Sequence, residues 1–282
     1  MPISLSRGVL KRDQEPEMSD QQFSERRDFA IEVCREAGEK AMEYFCDHGN
    51  LVVDRKGAQD WVSEADRNVE VFIRQKLAEA LPDDGIFGEE HGATPGKSGF
   101  DWVIDPIDGT TNFVNGIPAW TVVLAGVSEG ATQIGVMCDP IVGETYEALR
   151  GAGARLNGTP MHVASGVPLE NGTVSVGYSN RVEAANVLPV IASLIDKGAM
   201  YHRNASGALS IAYVAAGRLL GYMEEHMNAW DCLAGQLLVE EAGGRVEPQD
   251  ANEMIRVGGR VIVGTPDVFD ALLSIANDAW SG

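Results

Sequence analysis

A chain of 282 residues with 42 Asp and Glu against 22 Lys and Arg carries a formal charge of −20, which argues against direct binding to nucleic acid or an anionic membrane. Its hydrophobic content of 44% is enough for a substantial core in one large domain or two smaller ones. No apolar run approaches the roughly 20 residues of a membrane span, no signal-like apolar stretch opens the chain, and Cys34, Cys46, Cys138 and Cys232 form no close pair, a pattern of reduced thiols in a cytoplasmic protein.

Residues 1–22 are polar and unpatterned, and are expected as a mobile tail. Residues 23–282 are expected as one domain, α+β over about 23–170 and α/β over about 171–282. Ser24 opens a helix whose apolar positions Phe29, Val33, Ala37, Ala41 and Tyr44 recur every three or four residues. Leu51–Asp54 reads as a short strand and Lys56-Gly57 as the start of a loop. Ser63 and Asp66 have the spacing of a capping box, and Val69, Phe72, Ile73 and Leu77 continue a helical face that stops at Leu81-Pro-Asp-Asp-Gly85. Ile86–Glu90 is a brief strand ending in paired acids, followed by a Gly/Pro/Lys/Ser stretch expected to be a mobile loop.

Trp102-Val-Ile-Asp-Pro-Ile-Asp-Gly-Thr-Thr-Asn-Phe113 begins as a buried strand; Pro106 cannot continue a ladder, so the chain is expected to break there. Strand patterns over 120–127, 133–138 and 144–149 suggest an antiparallel meander, and Leu156-Asn-Gly-Thr159 carries a hairpin signal. From about residue 172 strands and helices alternate: strand 173–177, helices 182–197 and 206–216, strand 220–223, helix 230–242, strand 260–263 and helix 266–279.

Acids stand at the ends of these elements: Asp66, Glu89 and Glu90, Asp105 and Asp108, and Asp231. Taken singly, Asp66 is equally a helix cap, Asp231 an acid favoured by a helix dipole, and Glu89-Glu90 a solvated loop. Asp105 and Asp108 are harder to place without a ligand, because like charges this close to a buried strand end repel unless a cation lies between them. Oxygen clusters of this kind suit Mg²⁺ or Mn²⁺, and the histidines show no ligand spacing. Gly109-Thr110-Thr111, turning into a helix, offers free N–H groups to a phosphate.

Gly88-Glu-Glu90, the Trp102–Phe113 stretch and Trp230-Asp231 with Glu241-Ala-Gly-Gly244, joined by Asp60-x-Val-Ser-x-x-Asp66, resemble the signatures of the inositol monophosphatase family over about residues 24–280. The resemblance implies a layered αβαβα sandwich, of the type shared with fructose-1,6-bisphosphatase, and hydrolysis of a phosphate monoester with two or three Mg²⁺ ions. By position, Glu89, Asp105 and the Ile107 carbonyl would hold the first ion, and Asp105, Asp108 and Asp231 the second. Asp66 would serve an outer shell or a third ion. Thr110 would pair with Glu89 to orient a water, the N–H groups of Gly109 and Thr110 would hold phosphate, and Glu224, with Ser179 as a weaker candidate, would face the alcohol. The charges agree: Glu89, Asp105, Asp108 and Asp231 sum to −4, which two Mg²⁺ cancel.

The expected substrate is a small alcohol phosphate, inositol monophosphate first. Histidinol phosphate is the rival, because Glu224 and Glu225 offer partners for its ammonium. Arg203-Asn-Ala-Ser-Gly207 and Leu233 depart from the family pattern and bear on inositol itself. No added basic cluster is visible for a second phosphate. A regulatory, protein-binding role is the alternative from another class, and the resemblance also implies a homodimer and lithium sensitivity.

Overall fold

A computed structural model of the chain describes residues 18–57 and 60–280; residues 1–17, most of the expected tail, lie outside them. The first helix, α1 (Asp20–Cys46), begins four residues earlier than expected. Ser19 caps it: the Gln22 N–H donates to Ser19 Oγ at 3.3 Å, and Gln22 Oε1 accepts from the Ser19 N–H at 2.9 Å. Its buried stripe of Ala30, Val33, Cys34, Ala37, Gly38 and Ala41 consists of small side chains, which lets the helix lie close on a sheet. The expected loop at Lys56-Gly57 is instead the end of β1 (Val53–Gly57), paired antiparallel with β2 (Asp60–Ser63). The capping box of Ser63 and Asp66 is present and starts α2 (Glu64–Ala80).

Next come β3 (Gly85–Gly88), β4 (Gly92–Thr94), β5 (Phe100–Asp108), the short helix α3 (Thr110–Val114) and the meander β6 (Thr121–Ser128), β7 (Ala131–Asp139) and β8 (Glu144–Leu149). β9 (Gly153–Leu156) and β10 (Thr159–Pro160) flank the Asn157-Gly158 turn. Together β3 to β10 form an eight-stranded sheet in the order β10-β9-β8-β7-β6-β5-β3-β4. The stretch expected as a mobile loop after Glu90 contributes β4, and its turn is held by the N–H groups of Lys97 and Ser98 on the Asp83 carbonyl, at 2.6 and 2.9 Å.

The remaining elements are β11 (Thr173–Val176), α4 (Ala184–Asp196), β12 (Met200–His202), α5 (Gly207–Ala215), β13 (Gly221–Met227), α6 (Ala229–Glu241), β14 (Arg245–Val246), α7 (Ala251–Val257), β15 (Gly259–Gly264) and α8 (Phe269–Trp280). β12, β14 and α7 are additions to the sequence reading. The two strands hold three and two residues, too few to show a period, and α7 buries only Ala251 and Met254. The second sheet runs β12-β11-β13-β15-β14; β11 is parallel to both its neighbours, whereas β15 is antiparallel to β13 and β14.

Alternation of side chains across the strands sorts the core into layers. Trp102, Ile104, Val122, Leu124, Ile134 and Val136 pack against α1 and α2. Val103, Val123, Ala125 and Met137 face the other way, onto α5 and α6, which Tyr222, Val261 and Val263 of the second sheet cover from beyond. Val174, Val176, Met223 and Ile262 then meet α4 and α8 on the outermost face. The order is helix, sheet, helix, sheet, helix, the expected αβαβα sandwich. A methyl group at Gly135 of β7 would lie 2.6 Å from the Ala234 carbonyl oxygen and 3.1 Å from its Cα, so α6 rests directly on this glycine. Gly135→Ala should therefore destabilise the fold by about 1–3 kcal/mol, read as a lower urea midpoint; an unmoved midpoint would mean that α6 yields freely. Among the described residues no helix is long and apolar enough to cross a membrane.

Candidate active site

Pro106 does not end β5. Asp105 stands opposite Val123 and Asp108 opposite Thr121, three steps on one strand against two on the other. This is a one-residue bulge, and Pro106, with no N–H to donate, falls within it. In a regular strand, side chains three apart point to opposite faces; the bulge cancels that odd step. One oxygen each of Asp105, Asp108 and Asp231 consequently lie within 4.8 Å of one another. Asp231 comes from the first turn of α6, where its Oδ2 accepts from the Asn228 N–H at 3.2 Å.

Three acids so close and so buried are poorly placed as anions. Burial pushes the Asp105 carboxyl well above the usual range, and the charges of Glu89, Asp108 and Asp231 push it further. Asp108 is raised to about 7 by burial and Asp231, against hydrogen bonds from Ser206 Oγ and from the Ala208 N–H at 3.0 Å. Burial also raises Asp231, opposed by the charge of Arg181. Such mutual repulsion is relieved by a cation, and a donor set made of carboxylate oxygens fits Mg²⁺ or Mn²⁺.

The other expected residues gather around this trio. Glu89 follows β3, its N–H donating to the Ile104 carbonyl at 3.3 Å; its carboxylate acts on Asp105 through charge and lies outside the converging trio. Glu70 shapes the turn beyond it: this fully buried carboxylate accepts the N–H of Glu90 at 2.7 Å and of His91 at 3.1 Å, and pairs with Arg74 at 2.7 Å. Sequence reasoning missed Glu70, whose signal is a charged residue set within the apolar face of α2, one turn before an arginine.

Thr110, expected beside Glu89, lies with its hydroxyl 3.0 Å from Asp66 Oδ1 and 3.1 Å from the Ile107 carbonyl oxygen. Asp66 also meets the Ser63 hydroxyl at 2.6 Å and N–H at 2.8 Å, yet burial holds its carboxyl at about 6. Gly109 turns the chain into α3 at φ 96°, and a side chain there would fall 2.9 Å from the Ala119 carbonyl oxygen.

A cavity of about 180 Å³ opens from Asp108 and Asp231 toward the second sheet, and Ser179, Arg181, Arg203 and Glu224 line it. Glu224 is buried, receives a hydrogen bond from the Tyr222 hydroxyl, and is raised to about 7 mainly by burial. Glu225 does not line this cavity; its Oε1 accepts from Asn186 Nδ2 at 2.9 Å. Ser206 and Tyr222, which hold Asp108 and Glu224, were not singled out as site residues from the sequence: Ser206 is 98 residues from the acid it meets, and Tyr222 reads as one more apolar residue of its strand.

The chain matches the model of the inositol monophosphatase family over residues 22–281. It is 37% identical over 246 residues to the inositol-1-monophosphatase of Mesorhizobium japonicum, covering 86% of this chain and 92% of that one. It is 32% identical over 255 residues to the Nus factor SuhB of Escherichia coli K12, covering 89% and 96%. In structure it is similar to an IMPase of Thermotoga maritima, with a TM-score of 0.82, 31% identity and coverage of 91% and 98%.

Proposed function

We propose that this chain, which belongs to the inositol monophosphatase family, is a Mg²⁺-dependent phosphomonoesterase acting on a small alcohol phosphate, with inositol monophosphate the first candidate. The observation that carries the reading is the convergence of Asp105, Asp108 and Asp231 within 4.8 Å, at one end of a cavity lined by Glu224.

Asp105, Asp108, Asp231, Glu89 and the Ile107 carbonyl would hold the divalent ions, two or three of them. When bound, these ions supply the positive charge that draws in phosphate and acidifies a water. The N–H groups of Gly109 and Thr110 would steady the phosphate, and Glu224 would accept hydrogen bonds from the hydroxyls of the alcohol. Thr110 lies against Asp66, and with a carboxyl held near 6 Asp66 is placed to hold or release a proton close to neutrality. Ser179 Oγ is buried without a hydrogen-bond partner and is free for a substrate oxygen.

The histidinol reading loses ground. Glu225 is turned from the cavity, whereas Arg181 and Arg203 line it and oppose an ammonium. The likeness to a protein named Nus factor SuhB supports a second, protein-binding role, compatible with an intact acid set. Phosphate release by the purified chain with Mg²⁺ is expected from inositol monophosphate and not from histidinol phosphate, with inhibition by lithium. Inactivity across a panel of alcohol phosphates would favour the binding role. A homodimer in the cytoplasm is the expected state.

A further inference from the structure

The ladder between β3 and β4 stops at Gly88 opposite Gly92, so Glu89, Glu90 and His91 form the turn of a hairpin. The N–H groups of all three residues have partners. Glu89 donates to the Ile104 carbonyl at 3.3 Å, one residue before Asp105 in β5. Glu90 and His91 both donate to the Glu70 carboxylate, at 2.7 and 3.1 Å. Glu70 is fully buried on α2, one turn after Asp66, so this turn hangs from a helix rather than from its own strands. Arg74 grips its far side. It donates through Nε to Glu70 at 2.7 Å, through Nη2 to the Gly92 carbonyl and through Nη1 to Thr94 Oγ1 at 3.2 Å. A methyl group at Gly88 would fall 2.1 Å from Glu70 Oε1, so the strand makes way for this carboxylate.

These bonds fix backbone immediately beyond Glu89. Asp105, Asp108 and Asp231 converge by themselves, whereas the reach of Glu89 toward an ion depends on where the turn holds it. Three donors meet two carboxylate oxygens at Glu70. An amide of the same shape has one acceptor oxygen and would turn its NH2 toward a donor, so the turn would have to shift. We propose that Glu70, seconded by Arg74, is a positioning residue that sets how tightly the divalent ion of Glu89 is held. This deepens the phosphatase reading and rests on its metal ligands.

The test is a Mn²⁺ titration of the metal-free protein, with the free ion counted by its EPR signal. Glu89→Gln marks which binding step belongs to Glu89. Glu70→Gln should weaken that step by about tenfold and leave the rest unchanged. Arg74→Lys keeps a cation beside Glu70 but gives up the reach to Gly92, and should weaken the same step by less. In the Glu89→Gln background Glu70→Gln should add nothing, because it acts through Glu89. The Mg²⁺ needed for half-maximal phosphate release should rise in parallel, with the rate at saturating Mg²⁺ kept. Wild-type affinity in Glu70→Gln overturns the proposal, as does a titration that Glu89→Gln leaves unaltered. So does equal loss at every step, the mark of general damage, or a further loss in the Glu89→Gln background. If Glu70→Gln does not fold, Arg74→Lys decides by the same criteria. Phosphate release by wild type shows that the underlying reading stands even if Glu70 proves idle; a wild type that takes up no Mn²⁺ removes both.

Discussion

Asp105→Asn should lower phosphate release by about a thousandfold or more while making the metal-free protein harder to unfold. Asp105 is almost wholly buried among Glu89, Asp108 and Asp231. As a shared ligand it would help place ions whose charge is worth several kcal/mol to the transition state, and each 1.4 kcal/mol or so is a factor of ten in rate. Without ions the same carboxylate is a buried like charge, so a neutral amide of nearly equal shape relieves strain. Activity and melting temperature in chelator should therefore move in opposite directions. A simple folding defect would lower both. Residual activity within tenfold of wild type would remove Asp105 from the centre of the chemistry.

Stability of the metal-free protein should fall as the pH rises from about 4.5 to 8, and saturating Mg²⁺ should flatten that slope. Burial raises the folded-state values of Asp66 (to about 6), Asp108 and Glu224 (to about 7 each), and likewise raises Asp105 and Asp231. A carboxyl raised on folding favours the folded state fully below its unfolded value, near 4, and loses that contribution as pH climbs through the folded one. The opposite limb belongs to Glu144, lowered by its hydrogen bonds with Arg218, which protects the fold above its unfolded value and fails in acid. Mg²⁺, held by the ionised cluster as proposed, would restore stability on the alkaline side. Melting scans in chelator should differ by on the order of 10 °C between pH 5 and 8, and by much less with Mg²⁺. A metal-free protein whose stability is level across this range would mean that burial, with the neighbouring charges, does not raise these carboxyls.

The parts legible in the sequence were those in which neighbours in the chain act on each other. Ser63 and Asp66 sit one turn apart, the meander strands show their own runs, and the Asp105–Asp108 stretch announces its acids directly. The layered fold followed from the resemblance those residues carry. What escaped was long-range or parity-dependent. The first three residues of α1, Asp20 to Gln22, are polar, so only the cap at Ser19 reveals where it starts. Pro106 looked like a stop, because whether a strand breaks or bulges is decided by the partner strand, here β6. Glu70 reads as one more surface acid until the turn after β3 closes on it. Arg181 and Arg203 looked unrelated because β12, with only three residues, left no pattern to show that their loops share one rim.

The division of the site between two sheets has a consequence for how such a protein diversifies. Asp105 and Asp108 come from the eight-stranded sheet and Asp231 from the helix buried behind it, whereas Glu224, Ser179, Arg181 and Arg203 hang from the smaller sheet and its rim. If the acids cut and the rim chooses, as proposed, the two tasks are built from separate stock. Rim loops tolerate exchange far better than a bulged inner strand does, so new substrates can be reached by rewriting the selector while the blade stays as it is.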